Sequence, residues 1–304
     1  MKKKIKWKQF APFYVMMLPG LIYLFCNNYL PMVGLYLAFT KVNLQKGIFG
    51  GEWVGLSNFS YFVKTPDFML MIRNTVGYNL IFLIGAPIVG ILIAFCLNEL
   101  TGKFRQKFHQ TVILLPALIS VQIVTYMVYA FLAGDTGMLN KTVIPLLGKN
   151  PVSWYSKPQY WPYILVFVNF WMRSGFNSVV YFSSILSISS DYYEAAQLDG
   201  ASKWKQFCSI TLPLLKPTII TLTIISLGSI FKSDFGLFYQ VPMNNGALFD
   251  VTQTIDTYVF RGLVGTGNLG FSAAAGFIQS VIGLFTVVAA NLVIHKVSPE
   301  DAIF

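Results

Sequence analysis

The sequence predicts an all-α membrane protein with six transmembrane helices. Of its 304 residues, 55% are hydrophobic and only 11% are charged, and the mean hydropathy is +0.60. A soluble globular domain carries about 25% charged residues, so the composition argues against a soluble enzyme. Stretches that approach the roughly 20 mainly apolar residues of a bilayer-crossing helix recur along the chain. They lie at residues 10–40, 74–98, 110–134, 160–186, 218–241 and 272–294.

The first of these stretches follows a lysine-rich start, as a secretory signal peptide would. No small-residue cleavage site follows it, and the apolar run is too long for a signal core. We therefore expect a retained first membrane helix. Pro19 and Pro31 interrupt the run, which predicts a kink or an end near Pro31.

Lysine and arginine placement predicts the orientation. Cytoplasmic segments of membrane proteins are enriched in these residues. With the amino terminus inside, the cytoplasmic pieces are 1–11, 98–110, 187–216 and 295–304, which hold twelve in 64 residues. The outer pieces are 41–73, 135–158 and 242–271, which hold eight in 87 residues. Both termini are therefore expected in the cytoplasm.

The net charge of +10 does not predict a nucleic-acid partner. The lysines lie at membrane boundaries, where an anionic inner leaflet is the simpler partner. Cys26, Cys96 and Cys208 are far apart, which fits neither a metal site nor a disulfide. No phosphate-binding P-loop occurs, because Gly102-Lys103 lacks an upstream glycine. We therefore expect no ATP hydrolysis and no cofactor in this chain.

A polar segment separates the fourth and fifth predicted spans. Within it, Asp191 is placed to cap a short helix, with Glu194 three residues later as in a capping box. Gly200 would end that helix, because glycine accepts the left-handed conformation of a sharp C-terminal turn. A second short helix would begin near Ala201 and stop before Pro213, which cannot continue it. The segment is therefore predicted to form a helix-turn-helix.

This segment, residues 187–217, resembles the EAA loop of membrane subunits of binding-protein-dependent ABC importers, and we call it the coupling loop. The family pattern is Glu-Ala-Ala, two residues, Asp-Gly-Ala, then Phe, Ile, Leu-Pro and a final Pro at fixed spacing. The matching residues are Glu194, Ala195, Ala196, Asp199, Gly200, Ala201, Phe207, Ile210, Leu212, Pro213 and Pro217. The resemblance implies a coupling helix that enters a cleft on a separate ATPase subunit. The alternative is a capped hairpin that only joins two spans.

Weaker resemblances extend along the chain. Residues 52–59 look like the stretch after the first helix of carbohydrate-type, or maltose-type, permeases, and residues 73–75 resemble the opening of that family's core. Residues 254–262 and 267–273 resemble permeases of oligosaccharide and polysaccharide importers, and the end of the chain at 298–304 is consistent with that group. The resemblance implies a type I ABC importer permease architecture.

The resemblance also implies a domain order and a set of partners. We expect a cytoplasmic tail at 1–12, a first transmembrane helix with an outer loop at 13–72, a core permease domain at 73–297, and a second tail at 298–304. The expected location is the bacterial cell membrane. The expected partners are a second permease chain, similar or identical, two ATPase subunits that bind ATP and Mg²⁺, and an extracellular solute-binding protein.

Polar side chains inside predicted spans are costly and commonly line a cavity or meet a partner. They recur at three- and four-residue steps, which places them on shared helix faces. Saccharides need hydrogen bonds to hydroxyls and an aromatic face, so these stripes are candidates for a substrate pathway: Gln122, Tyr126, Asn169, Arg173, Asn177, Tyr181, Lys232 and Tyr239. Asp234 is expected to point elsewhere. The alternative is hydrogen bonding between helices.

Three outer residues, Asp256, Tyr258 and Arg261, are candidates for docking the solute-binding protein. The function expected from all these features is ATP-driven import of an oligosaccharide or polysaccharide fragment. One alternative keeps the importer and changes the cargo to glycerol phosphate, an amino acid or another small solute. Another is an ion-coupled secondary carrier with Arg173, Lys232 and Asp234 as relay groups, against which the coupling loop argues. A membrane scaffold is the third.

Overall fold

The computed structural model describes residues 7–43, 47 and 49–297, and these are almost entirely helical. The α-helices are α1 (Trp7–Leu24), α2 (Ser57–Val63), α3 (Phe68–Asn98), α4 (Lys103–Leu118), α5 (Val121–Leu132), α6 (Ile144–Leu146), α7 (Trp161–Leu186), α8 (Ser190–Leu198), α9 (Lys203–Gln206), α10 (Leu212–Leu214), α11 (Lys216–Leu227), α12 (Phe249–Thr252), α13 (Ile255–Thr266) and α14 (Leu269–Val297). Two short strands, β1 (Thr40–Lys41) and β2 (Glu52–Trp53), and several 3₁₀ and π-helical segments complete the regular structure of the described residues. Most of the predicted amino-terminal lysines and the whole of 298–304 lie outside the described residues.

The chain forms two compact units, and the smaller comprises Met1–Thr65 and Gly262–Ile278. Helix α1 continues through a π-helical turn, Phe25–Tyr29, into a 3₁₀ helix, Leu30–Phe39. The expected end near Pro31 is therefore wrong. Pro31 lies in the first turn of the 3₁₀ helix, where its missing N–H costs little.

Strands β1 and β2 pair in antiparallel register in this smaller unit, with Thr40 opposite Trp53 and Lys41 opposite Glu52. The ring of Phe39 stacks on that of Trp53, with centroids 5.4 Å apart. Asn58 donates hydrogen bonds to the carbonyls of Ala38 and Thr40. These contacts fix the segment that follows the first span.

The larger unit comprises Pro66–Arg261 and Gln279–Phe304. Its core lies between α3 and α7, the most extensively packed pair of helices in the chain. Trp161 and Leu165 of α7 are fully buried there with Phe238, and the Tyr78 ring of α3 lies 4.8 Å from the Phe238 ring. Close packing of these two helices holds the polar face of α7 in a fixed position.

Three helical stretches of the described chain are long and apolar enough to cross a membrane unaided, and these are Pro12–Phe39, Phe68–Asn98 and Leu269–Lys296. Two bent pairs pass the same test together, and α7 has 26 residues, about 39 Å at the rise of an α-helix. Its polar face, with Asn169, Arg173 and Asn177, lowers its hydropathy. The described residues therefore contain three such stretches, or five if each bent pair is counted as one span, and α7 is not among them.

Two predicted spans are broken rather than continuous. The third was expected as one helix over 110–134, but α4 and α5 meet at 93°. The break lies at Ser120, whose backbone is extended. Its side-chain hydroxyl caps α5 by accepting a hydrogen bond from the N–H of Ile123. The fifth was expected over 218–241, but α11 ends at Leu227 and helical structure resumes only at Phe235. Both breaks border the cavity described below.

Candidate functional site

The first helix of the coupling loop begins two residues earlier than a capping box at Asp191 requires. The N-cap is Ser189, whose hydroxyl accepts from the N–H of Asp191 at 3.3 Å. Asp191 lies in the first turn, where its negative charge interacts favourably with the helix dipole. Glu194 lies further along α8 and is exposed. The predicted capping box is therefore wrong, and Glu194 has no capping role.

The end of α8 confirms the prediction for Gly200. Its φ is +76°, in the left-handed region. The N–H of Gly200 donates to the carbonyl of Gln197 at 3.0 Å, and that of Ala201 donates to the carbonyl of Ala196 at 2.9 Å. This pair of bonds is a Schellman motif, which satisfies carbonyls that the helix end leaves open. The turn between the two helices is thus sharply defined.

The second helical part of the loop runs past Pro213, contrary to the prediction. Helix α9 is capped by Ser202, whose hydroxyl accepts from the N–H of Lys205. It continues through a π-helical turn, Phe207–Thr211, into α10, which contains Pro213. The π turn starts a new hydrogen-bond register, so Pro213 falls in a first turn, where no N–H is needed. The run bends by 57° before α11 instead.

Contacts inside the chain hold the loop in place. Phe207 is only 5% exposed and its ring lies 4.6 Å from that of Phe95 in α3. The hydroxyls of Tyr193 and Thr211 are 2.9 Å apart, which ties α8 to the second helical part. Lys203 forms a 3.5 Å ion pair with Glu99, just after α3. Phe207, predicted to contact an ATPase, is therefore a buried support of the loop.

The opposite side of the loop is exposed. We define the outward face as Glu194, Ala195, Leu198, Asp199 and Gly200, all of which are exposed. Leu198 is 90% exposed, the highest exposed fraction among the large apolar side chains that the structure describes. Among the other predicted coupling residues, Pro213 is exposed, while Ala196 and Ala201 are half-buried.

Leu198 was missed in the sequence analysis. Its signal was available, because it is the one leucine of the polar helix Ser190–Leu198 and lies just before the glycine turn. An exposed leucine beside small and acidic residues gives the outward face a mixed character. Such a face is suited to a protein contact with a hydrophobic centre and a polar rim.

A cavity of about 820 Å³ lies in the larger unit, among α3, the α4–α5 break, α7 and the segment after α11. Leu118, Ile119 and Val121 contribute apolar wall from the break itself. The polar part of the lining consists of Asn79, Ser120, Asn169, Arg173, Asn177, Ser226, Ser229, Lys232, Ser233 and Asp234. The cavity therefore combines amides, hydroxyls and charges with an apolar wall.

Two ionisable side chains of the cavity form an ion pair. The guanidinium of Arg173 donates to one carboxylate oxygen of Asp234. The other oxygen accepts from the N–H of Leu237 at 3.1 Å, at the start of the π-helical turn Gly236–Gln240. The expectation that Asp234 points elsewhere is therefore wrong. The break after α11 turns Asp234 toward α7, which a continuous helix would not do.

Asn79 was also missed. Its side-chain amide donates to the carbonyls of Ile230 and Lys232, at 2.7 and 2.8 Å. These carbonyls lie in the non-helical segment after α11, where no intrahelical partner serves them. An asparagine in the middle of the apolar helix α3 was the available signal. These hydrogen bonds from Asn79 hold the backbone in the conformation that places Lys232 in the cavity lining.

The predicted pathway residues separate into two groups. Asn169, Arg173, Asn177 and Lys232 line the cavity. The other four do not. Gln122 and Tyr126 are exposed on α5, and Tyr239 packs against the rings of Phe235 and Phe260, at 4.7 and 5.2 Å.

Tyr181, the remaining pathway residue, is 1% exposed in the core. Its ring lies against Gly90 of α3, where a Cβ on that glycine would come within 3.1 Å of it. Tyr181 is on the side of α7 that packs against α3, so it belongs to the helix interface. The four-residue spacing from Asn177 was therefore misleading for this position.

The three candidates for docking the solute-binding protein are largely engaged in contacts within the chain. Asp256 accepts from the N–H and the hydroxyl of Ser233, at 2.6 and 2.8 Å, and from Gln279 at 3.2 Å. Tyr258 is half-buried. These contacts give Asp256 a structural role, which the sequence pattern did not indicate.

Arg261 is held in the same way. Its guanidinium donates to Gln253 at 2.7 Å and to Asn244 at 3.2 Å, and it lies 4.0 Å above the ring of Phe249. Burial lowers the pKa of Arg261, and the neighbouring Tyr239 opposes that shift. Arg261 therefore stabilises the outer segment between Asn244 and α13.

Comparison with known proteins gives a family match over most of the chain. Residues 86–299 match the family described as "Binding-protein-dependent transport system inner membrane component". Protein LplB of Bacillus subtilis is 31% identical over 98% of this chain and 91% of its own length. The polygalacturonan/rhamnogalacturonan transport system permease protein YteP of the same species is 31% identical over 97% of this chain and 91% of its own length.

A solved structure is similar over nearly the whole chain. It is a bacterial alginate ABC transporter in complex with an alginate pentasaccharide-bound periplasmic protein. One of its chains is 30% identical, with 96% of both chains covered and a TM-score of 0.85. At this coverage and TM-score the likeness extends to the fold as a whole.

Proposed function

Since this chain belongs to the family of binding-protein-dependent transport system inner membrane components, we propose that it is the transmembrane subunit of an ATP-driven importer for an oligosaccharide or polysaccharide fragment. The observation that carries this proposal is the coupling loop. It is anchored on one side by Phe207 and Tyr193 and presents an outward face with Leu198 exposed.

The outward face is the contact with a separate ATPase subunit, which binds ATP and Mg²⁺. Leu198 enters an apolar cleft, Glu194 supplies a charged contact at the rim, and Ala195 and Gly200 let the partner's backbone approach. ATP-driven closure of two ATPase subunits moves the two attached loops together. The helices convert that motion into opening of one membrane face and closing of the other, a rigid-body switch.

The cargo follows from the cavity and from the relatives. Two of the similar proteins are named for transport of polygalacturonan/rhamnogalacturonan and of alginate. The amides of Asn169 and Asn177 and the hydroxyls of nearby serines offer the hydrogen bonds that sugar hydroxyls need. A small-solute importer would use the same coupling loop, so cargo has to be tested separately.

The complete importer contains a second permease chain, two ATPase subunits and an extracellular solute-binding protein. In the bacterial cell membrane the coupling loop and both termini lie in the cytoplasm, in agreement with the lysine and arginine distribution. The half-buried Tyr258 and the surface around it remain the proposed side for the binding protein, with Asp256 and Arg261 as its internal supports.

The test is a charge placed on the outward face. Leu198→Asp should reduce co-purification of the ATPase subunits at least about tenfold, because burying an unpaired carboxylate in a partner cleft is strongly unfavourable. The matched control is Leu146→Asp in α6, an equally apolar side chain that is 82% exposed on the opposite predicted side. Full ATPase binding by the Leu198 variant, or equal losses in both variants, would contradict the proposal.

A further inference from the structure

The cavity lining has an excess of positive charge. Its ionisable side chains, among the residues that the structure describes, are Arg173, Lys232 and Asp234. Two cations against one carboxylate give a formal charge of +1. Arg173 and Asp234 are paired, and Lys232 forms no ion pair within the described part of the chain. The excess charge therefore lies at Lys232.

Both carboxylate oxygens of Asp234 already have partners within the chain. One of its carboxylate oxygens holds Arg173 and the other accepts from the N–H of Leu237. Any turn toward Lys232 would break one of these contacts. Lys232 is exposed to the cavity and lies on a backbone that Asn79 fixes through the carbonyls of Ile230 and Lys232. The backbone of Lys232 is thus fixed, and no carboxylate of the described chain forms an ion pair with its ammonium, so a bound ligand can supply the counter-charge.

The surroundings of Lys232 limit the chemistry of that counter-charge. Amides of Asn169 and Asn177 and the hydroxyl of Ser229 share the cavity, so the ligand also has hydroxyls to be bound. A cation inside a membrane protein is costly and is commonly retained for a ligand or ion pathway. A sugar unit that bears a carboxylate supplies both kinds of group in one molecule.

We propose that the cargo of this cavity is an acidic saccharide and that Lys232 binds its carboxylate. Arg173 is kept in place by Asp234 and presents its remaining N–H donors to the same ligand. This inference rests on the proposed function, because it specifies the cargo of that importer. The likeness to a transporter described as importing the acidic polysaccharide alginate is consistent with it.

The experiment uses the full importer, with its binding protein and ATPase subunits, in proteoliposomes loaded for ATP-driven uptake. The probes are trigalacturonate and its methyl ester, which differ only in the carboxylate charges. Binding of each probe to the solute-binding protein is measured separately, and that affinity normalises the uptake rates. The variants are Lys232→Gln, the charge-preserving control Lys232→Arg, and Asp234→Asn.

Lys232→Gln should lower uptake of trigalacturonate about tenfold, the effect of losing one charged hydrogen bond, and should change uptake of the ester by less than about twofold. Lys232→Arg should retain most of the activity. Asp234→Asn removes the carboxylate charge that holds Arg173 in place. It should therefore lower uptake of the acid and of the ester alike, which separates a loss of cavity geometry from the loss of the carboxylate contact in Lys232→Gln.

Several outcomes would overturn the inference. Equal losses of acid and ester uptake in Lys232→Gln would mean that this lysine does not bind the carboxylate. If the unmutated importer takes up the ester or neutral maltotriose but not the acid, the inference is also overturned. The proposed function would stand in that case. Absence of ATP-dependent uptake of every saccharide probe would count against the proposed function itself.

Discussion

Gly200 defines the geometry of the coupling loop at the scale of a single residue. Its backbone lies at φ +76° and no atom lies within 4 Å of where a Cβ would be. The constraint is therefore conformational rather than steric, and the left-handed region costs other residues about 1–2 kcal/mol. A side chain at this position would therefore destabilise the Schellman motif, which sets the angle between α8 and the helix after it.

Gly200→Val should lower transport while ATP hydrolysis continues, because a distorted turn displaces Leu198 relative to Phe207. We expect uptake per ATP hydrolysed to fall several-fold. The control is Gly265→Val in α13, a glycine that also has open space around its Cβ position but whose φ is not positive. Normal coupling in Gly200→Val, measured as the ratio of uptake to phosphate release, would contradict a role for this turn.

At the scale of helices, the two faces of the coupling loop have different roles. The anchored face packs the buried Phe207 and the more exposed Trp204 against Phe95, with ring centroids 4.6 and 6.2 Å from that of Phe95. The outward face is exposed and carries Leu198. Mechanical coupling needs both faces. A helix that binds the ATPase but is not anchored to the membrane helices would move without transmitting its motion to them.

Phe207→Ala should destabilise the loop by about 3 kcal/mol, the usual result of removing a buried phenyl ring, and should weaken ATPase binding although Phe207 is not on the outward face. Phe207→Leu fills much of the same volume and should retain most of the binding. Thermal stability and ATPase co-purification of the two variants are the measurements. A direct ATPase contact would instead predict loss of binding with unchanged stability.

Local signals in the sequence predicted some of these features and missed others. The glycine turn at Gly200 follows from one residue type and was predicted correctly. The cap at Ser189 was missed because Asp191 is an equally good cap by composition, and the choice depends on where α7 ends. The break at Ser120 lies inside an apolar run without charges, so hydropathy could not separate α4 from α5.

At the scale of the whole molecule, the helical membrane fold and the family could be predicted, while long-range contacts could not. Arg173 and Asp234 are 61 residues apart, and no periodicity connects α7 to the segment after α11. The same limit explains the incorrect expectation for Tyr181, whose helix spacing fits a polar stripe but whose neighbour is Gly90. Only packing decides which side of α7 faces the cavity.

The central claim is that the outward face lies in the cytoplasm and binds the ATPase. It is tested by Leu198→Cys in a chain whose native cysteines, Cys26, Cys96 and Cys208, are replaced by serine. A membrane-impermeant maleimide should label this cysteine in inside-out vesicles only, and bound ATPase subunits should block the labelling. Labelling from the outer side, or labelling that the ATPase does not reduce, would contradict the account.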